Sequence, residues 1–309
     1  AYLEVERLKH KHIDKVHVVG NPVRPEVLAL RDEDYPPFTE DGLLKVLVTG
    51  GFATTKRLTG ESGHPYISRA NLSTVEIGSV IAEYIKARPE IKRISTIAPD
   101  YEYGQQFIED FMRALKAARP DVVVVRQEWS KLGATDFSAH VTALQAQPVD
   151  LIVNGGFGAD LVNLLKASKD FGLNVNYFTL NANNPGTPTQ LGSWGENKVG
   201  VVWNWISNAN TPELEKIHIA YKKKYNEDFI FAAHWNTMNM LFQAIKLAKS
   251  TDPKKVAFTL EGLSYKSPLG EVKMRKTDHQ LEAPLYLGIW AKQGSKGVKH
   301  DSENTGYGF

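Results

Sequence analysis

The feature that most constrains this chain is an alternation of short apolar runs with amphipathic segments between residues 91 and 205. Residues 93–98 (RISTIA) form a β-rich run that ends in Pro99-Asp100. Phe107, Phe111 and Leu115 then recur every four residues, which places them on one face of a helix. Arg119-Pro120 ends that helix, because proline cannot continue it and disfavours helical geometry in the residue before. Residues 121–125 (DVVVV) are continuously apolar after the aspartate and predict a buried parallel strand. Thr135 or Asp136 is placed to cap the next helix, whose stripe is Phe137, Val141 and Leu144. A third strand is expected over 149–153. A third helix is expected over 158–171, with Leu161, Leu164, Leu165 and Ser168 on one face and Gly172 as its stop. Residues 177–180 and 199–205 supply two more strands. The expected fold class is therefore α/β, a parallel sheet flanked by helices.

Sheets of this kind bind ligands at the carboxyl ends of their strands. Those ends are Ala98-Pro99-Asp100-Tyr101, Asn154-Gly155-Gly156-Phe157 and Asn181-Ala182-Asn183-Asn184. Tyr101, Tyr103 and Phe157 serve equally well there as plain core or as pocket lining. Gly156 would let backbone approach a ligand closely, and Asn181 and Asn183 offer amides. Trp203, Trp205, His234 and Trp235 add to the aromatic content nearby. A cleft lined by such rings and a few amides suits a small, partly apolar solute.

Outside this block the texture changes. Thr211-Pro212-Glu213 is a helix start. Lys222-Lys223-Lys224 near that helix's end opposes its dipole and reads as a solvated end. Further helices are expected over 231–249 and 253–260, an irregular polar stretch over 274–280, and a last strand over 285–291 before a Gly- and Lys-rich tail. At the front, 16–19 and 45–48 are strand candidates. They are separated by Asn21-Pro22-Val23-Arg24-Pro25 and by an acidic, proline-bearing loop over 32–41.

Several function classes lack the residues they need. Lys plus Arg is 37 and Asp plus Glu is 35, a net charge of +2, too balanced for a dedicated nucleic-acid binder. The cysteine count is zero, which removes disulfides, thiolate metal sites and a Cys nucleophile. No apolar run approaches a membrane span, and Ala1-Tyr2-Leu3-Glu4-Val5-Glu6-Arg7 has no signal-peptide character. His10, His12 and His17 sit among Lys9, Lys11 and Lys15 and read as a basic face, so no metal site is expected. Gly50-Gly51-Phe52-Ala53-Thr54-Thr55-Lys56 follows a strand but lacks P-loop spacing. Gly155-Gly156-Phe157-Gly158 lacks the third glycine of a dinucleotide fingerprint and reads as a pocket-lining turn. No nucleophile elbow or H-E-x-x-H is present, and Asp278-His279 are adjacent residues that seldom point together. No catalytic residue and no cofactor is therefore expected.

Asp100-Tyr101-Glu102-Tyr103-Gly104-Gln105, Thr135-Asp136-Phe137-Ser138, residues 150–156, Asp278-His279-Gln280 and the closing Asn304-Thr305-Gly306-Tyr307-Gly308-Phe309 resemble type I periplasmic solute-binding proteins. The branched-chain amino acid and amide-binding group of ABC importers is the most similar. The resemblance runs from about residue 51 to 309. It implies two α/β lobes joined by a three-segment hinge, a small-molecule ligand in the cleft between them, the importer's membrane subunits as partners and a periplasmic location. It also implies that Tyr103 and Phe157 face the ligand. An acidic residue after the following strand often holds the ligand ammonium in this family, and here that stretch is Asn181 to Asn184 without an acid. The expected lobes are 1–90 plus 206–270, abridged, and 91–205 plus 271–309, complete.

The front departs from this pattern. Residues 16–25 and 44–51 resemble the interdomain region of the peptidoglycan N-acetylglucosaminyltransferase, departing after Gly51, so the chain looks like a join of two families near 50–52. Three readings follow. One is a non-enzymatic solute-binding protein for an amino acid-like, amide or carboxylate ligand. The second is a chimeric or truncated scaffold without a competent site, whose abridged lobe invites homo-oligomerisation. The third is a fragment of the UDP-N-acetylglucosamine-dependent glycosyltransferase.

Overall fold

A computed structural model describes residues 47–49, 53–208, 211–230 and 232–309. The expected strand over 16–19, the three front histidines, the 21–25 and 32–41 loops and Gly50 to Phe52 lie outside the described residues. The elements run β1 Leu47–Thr49, β2 Ile67–Arg69, α1 Thr74–Lys86, β3 Arg93–Pro99, α2 Glu102–Ala118, β4 Val123–Ser130, α3 Ser138–Gln145, β5 Leu151–Asn154, α4 Gly158–Asp170, β6 Asn176–Thr179, α5 Thr187–Leu191 and β7 Val199–Trp203. They continue with α6 Pro212–Tyr225, α7 Ala232–Ala248, α8 Pro253–Leu260, β8 Ser264–Ser267, β9 Gly270–Met274, β10 Leu281–Glu282, β11 Tyr286–Ile289, β12 Ala291–Lys292 and β13 Tyr307–Gly308. Among the described residues no helix is long and apolar enough to cross a membrane.

The β/α alternation builds one six-stranded sheet in the order β11-β7-β6-β5-β3-β4. Every pair is parallel except β11 with β7. Phe107, Phe111 and Leu115 on α2, Val141 and Leu144 on α3, and Leu161, Leu164 and Leu165 on α4 are all buried in its core, as their spacing predicts. Gly172 closes α4 at φ +70, the left-handed conformation glycine adopts freely. The 121–125 strand needs correction. It forms as β4, starting at Val123, and lies at the sheet edge, where Val123 is 54 % exposed. A continuous apolar run matches a strand covered on both faces, but β4 has only one strand neighbour, and its later residues are Arg126, Gln127 and Glu128.

Helix α1 is not signalled by the alternation, yet it is well built. Glu76 accepts hydrogen bonds from the Ser73 backbone N–H (2.6 Å) and hydroxyl (2.8 Å), a capping arrangement. Ile77, Ile81 and Ile85 repeat every four residues and are fully buried against α2. Gly78 sits where a Cβ would meet the Phe111 backbone nitrogen at 2.7 Å, so the small residue sets how closely these helices cross.

A second, smaller core holds Ala70, Met240, Ala244, Val256, Leu260, Val272, Met274 and Leu281. It lies under the two-stranded parallel sheet β1-β2, helices α7 and α8, and the three-stranded sheet β10-β9-β8. Each core draws on separated stretches of the chain. Helix α1 and, through Leu214, α6 belong to the larger core, because their apolar stripes face the six-stranded sheet. Strand β9 belongs to the smaller one through Val272 and Met274. The chain thus crosses between the cores near 70–72, 232–240 and 281–285. The crossings are tied by buried hydrogen bonds. Arg69 Nε donates to Gln280 Oε1 (2.5 Å), and Gln280 Nε2 donates to the Asn71 carbonyl (2.6 Å). Asn204 Nδ2 donates to Asn71 Oδ1 (2.9 Å).

Candidate functional site

The ends of β3, β5, β6 and β7 open on one cleft of about 290 Å³. Strand β3 is the point where the sheet order switches, with β4 on one side and β5 on the other, and such points form a natural crevice. One wall is Tyr101, Glu102 and Tyr103 at the start of α2, Phe157 and Gly158 at the start of α4, Leu180, Asn181 and Asn184 after β6, and Trp203. The facing wall is Ala53, Thr54 and Thr55. The site therefore has two sides.

Local packing places the aromatic wall. Gly104 allows α2 to begin directly over β3, since a Cβ there would lie 2.0 Å from the Pro99 carbonyl oxygen. This swings Tyr101 and Tyr103 over the strand ends, with ring centroids 5.8 Å apart. Phe157 meets Tyr103 edge to face at 5.9 Å. Burial pushes the Tyr103 hydroxyl well above its ordinary range, partly offset by a hydrogen bond from Asn181. Burial also pushes Tyr101 up to about 12, so both phenols are neutral donors.

The opposite wall is held from behind. The Arg69 guanidinium donates to the Thr55 carbonyl (2.6 Å), the Ala53 carbonyl (3.3 Å) and the Thr59 hydroxyl (3.2 Å). Lys56 reaches Asp110 and Glu109 on α2, both at 3.1 Å, and Thr74 N–H donates to the Thr54 carbonyl (2.9 Å). Asp110 is fully buried and also accepts from the Thr74 hydroxyl (2.7 Å) and Arg113 (2.7 Å). The loop that forms the second wall is thus fastened to the sheet body.

Four of the six expected site residues meet here: Tyr101, Tyr103, Phe157 and Asn181. Gly156 and Asn183 are not among the lining residues. The Gly156 N–H is turned back onto Asn154 Oδ1 (2.9 Å), and Asn183 donates to the Trp205 carbonyl (3.1 Å) beside a separate small cavity. Sequence reasoning misses Thr54, Thr55 and Glu102. The first two lie in the Gly50–Lys56 loop, whose position after a strand is the available signal. Glu102 stands between two tyrosines but reads as an ordinary first-turn acid. Asp278 pairs with Arg275 (2.6 Å) and His279 with Glu261 (3.2 Å), so that pair forms no acid–base unit. Lys222 is also not free in water, since it bridges Asp228 (3.2 Å) and Asp301 (3.1 Å). Among the described residues no cluster of His, Asp and Glu is arranged to hold a metal ion.

A family model described as periplasmic binding protein matches residues 40–295. Leu/Ile/Val-binding protein homolog 4 of Brucella abortus is 25% identical over 270 residues, covering 83% of this chain and 62% of that protein. The chain thus spans less than two thirds of that relative's length. The crystal structure of a leucine-, isoleucine-, valine-, threonine- and alanine-binding protein from Brucella ovis, in a closed conformation, superposes with a TM-score of 0.76 at 24% identity. It covers 85% of this chain and 68% of that one. A short N-terminal segment matches a different protein. It is 74% identical over 51 residues to the UDP-N-acetylglucosamine–N-acetylmuramyl-(pentapeptide) pyrophosphoryl-undecaprenol N-acetylglucosamine transferase of Erythrobacter litoralis, 16% of this chain and 13% of that enzyme.

Proposed function

The chain belongs to the periplasmic binding protein family, and from that premise we propose that it is the solute-binding component of an ABC importer. Its cargo on this reading is a small, partly apolar solute held in the cleft between the aromatic wall and the Ala53–Thr55 wall. The observation that carries this reading is the cleft's composition. Four rings (Tyr101, Tyr103, Phe157 and Trp203) supply apolar contact, while the Thr54 hydroxyl, Asn184 Oδ1 and Glu102 Oε2 are buried and have no partner among the described residues. Unpaired buried polar groups are costly, and a bound solute that satisfies them recovers that cost. Three separate crossings between the two cores fit hinge closure around such a solute. On the same reading its partners are the importer's membrane subunits and its location is the periplasm, which membership of the family supports.

The test is thermal shift and calorimetry with branched-chain and aromatic amino acids, amides and small carboxylates. A solute of the right class raises the melting temperature with the logarithm of its concentration, and Tyr103→Ala or Trp203→Ala abolishes that shift. No shift with any member of the panel overturns the reading. The transferase-like segment matches 13% of that enzyme, and no transfer chemistry is proposed for it.

A further inference from the structure

We propose that Glu102 is the charge-selecting residue of the cleft, holding a protonated nitrogen of the solute while the solute's apolar body lies among Tyr101, Tyr103, Phe157 and Trp203. This rests on the binding-protein reading above and narrows its ligand class.

Among the described residues that line the cleft, Glu102 is the one charged side chain; no Lys, Arg or His lines it. Its two oxygens are treated differently by the fold. Oε1 accepts from the Thr55 hydroxyl at 3.2 Å and meets Arg57 at 3.7 Å. Oε2 is buried and has no partner. Arg57 is itself one third exposed and is shared with Glu61 at 3.2 Å, so one guanidinium faces two carboxylates. The position of Glu102 in the first turn of α2 accounts for an acid there through the helix dipole. It does not account for a buried carboxylate oxygen left without a partner on a residue that lines the cleft.

The other unpaired groups point the same way. Asn184 Nδ2 donates to Asn181 Oδ1 at 3.1 Å, which fixes that amide and leaves its Oδ1 as a free acceptor. The residues lining the cleft therefore hold two unpartnered acceptors, Glu102 Oε2 and Asn184 Oδ1, and one unpartnered hydroxyl, Thr54, each buried until a bound solute engages it. An ammonium brings three donors and a positive charge to that set. A bare carboxylate brings only lone pairs and a second negative charge. The surrounding aromatic faces attract a cation as well. The Asn181–Asn184 stretch after β6 carries no acid, and Glu102 supplies the negative charge from the end of β3, two strands away in the sheet.

The experiment uses two matched series. One is L-phenylalanine, phenethylamine and 3-phenylpropionate. The other is L-leucine, isopentylamine and 4-methylpentanoate. Each is titrated calorimetrically into the full chain and into Glu102→Gln. We expect the amine-bearing members of at least one series to bind about 10- to 100-fold tighter than the amine-free acid, the size of a charge-assisted hydrogen bond. Glu102→Gln is expected to erase that preference while leaving the acid's affinity equal or higher. Acids binding as tightly as amines in the unaltered protein overturn the proposal even if the variant does not fold. So does a preference that survives Glu102→Gln. Either result leaves the binding-protein reading standing, because a ligand has bound. No binding by any of the six overturns the proposal outright, and the wider panel above then decides the reading it rests on.

Discussion

The two cores of this molecule are built from the same kinds of element and are not equally finished. The larger has six strands covered by helices, with fully buried Phe107, Phe111, Ile152 and Tyr177 at its centre. The smaller has eight buried residues, four of them alanine or methionine (Ala70, Met240, Ala244 and Met274), beneath sheets of two and three strands. Its helices also show apolar side chains to water: Trp235, Met238, Phe242 and Leu247 on α7 and Phe258 on α8. A helix with apolar residues on both faces is ordinarily covered on both. The difference shows that the cleft's two walls rest on foundations of unequal strength. The aromatic wall belongs to the sheet body, and the Ala53–Thr55 wall depends on Arg69, Lys56 and Thr74 to hold it there.

The largest expected effect lies in the stronger core. Phe107→Ala removes a ring fully buried between α2 and the sheet and is expected to cost about 3–5 kcal/mol in urea or guanidinium unfolding. A loss below about 1 kcal/mol would mean the larger body is no better packed than the smaller. Next is the joint between them. Arg69→Met strands the Gln280 and Thr55 oxygens that its guanidinium satisfies and is expected to cost about 3 kcal/mol. It should also split unfolding into two transitions, the smaller body first, and weaken solute binding. One unsplit transition with unaltered affinity would show that the bodies do not depend on Arg69 for their coupling.

The same inequality governs what the sequence discloses. The sheet body is legible because its helices repeat apolar residues every three or four positions and its strands are short apolar runs: Phe107-Phe111-Leu115 and Leu161-Leu164-Leu165 land where spacing puts them. The edge position of β4 is not legible, because DVVVV looks alike at an edge and in the middle. Helix α1 is hidden by an ordinary-looking stretch whose Ser73–Glu76 cap is its clearest mark. The aromatic half of the site follows from the strand-end rule. The polar half does not, since Thr54, Thr55 and Glu102 become a site only when a loop from one body is laid against the other. Gly156 and Asn183 illustrate the reverse: they sit at strand ends, but their hydrogen bonds point back into the protein.

A pH titration probes the sheet body from another side. His218 on α6 is buried beside Trp205 and His300, and neither ring nitrogen has a partner. Burial holds its pKa down at about 4, with His300 and Lys222 adding to the effect and Asp228 and Asp301 opposing it. The unfolded chain takes up this proton near the ordinary 6.5, before the folded state does. Stability is therefore full above about pH 6.5 and falls as pH drops toward 4, by roughly 2–3 kcal/mol from this group. His218→Phe keeps the ring volume and removes the titration. The difference in unfolding free energy between the two proteins should then change with pH inside that window and be flat above it. A difference flat throughout would place His218 in contact with water.

The smallest effect on stability falls on the outer face of the weaker body, and it has the largest consequence for behaviour in solution. Phe242 is 58 % and Leu247 61 % exposed, so changing each to Ser removes almost no buried contact and should move stability by no more than about 0.5 kcal/mol apiece. Contiguous exposed apolar surface favours association. We therefore expect light scattering to show the unaltered chain self-associating as its concentration rises, and Phe242→Ser with Leu247→Ser to shift it toward monomer. The outcome separates two sources of the weakness. If the doubly substituted chain is monomeric and as stable as before, the face is merely uncovered, and the smaller body stands on its own core and the Arg69 joint. If the substitutions instead cost several kcal/mol, the face is buried in solution against a second copy, and the smaller body's stability is a property of the pair.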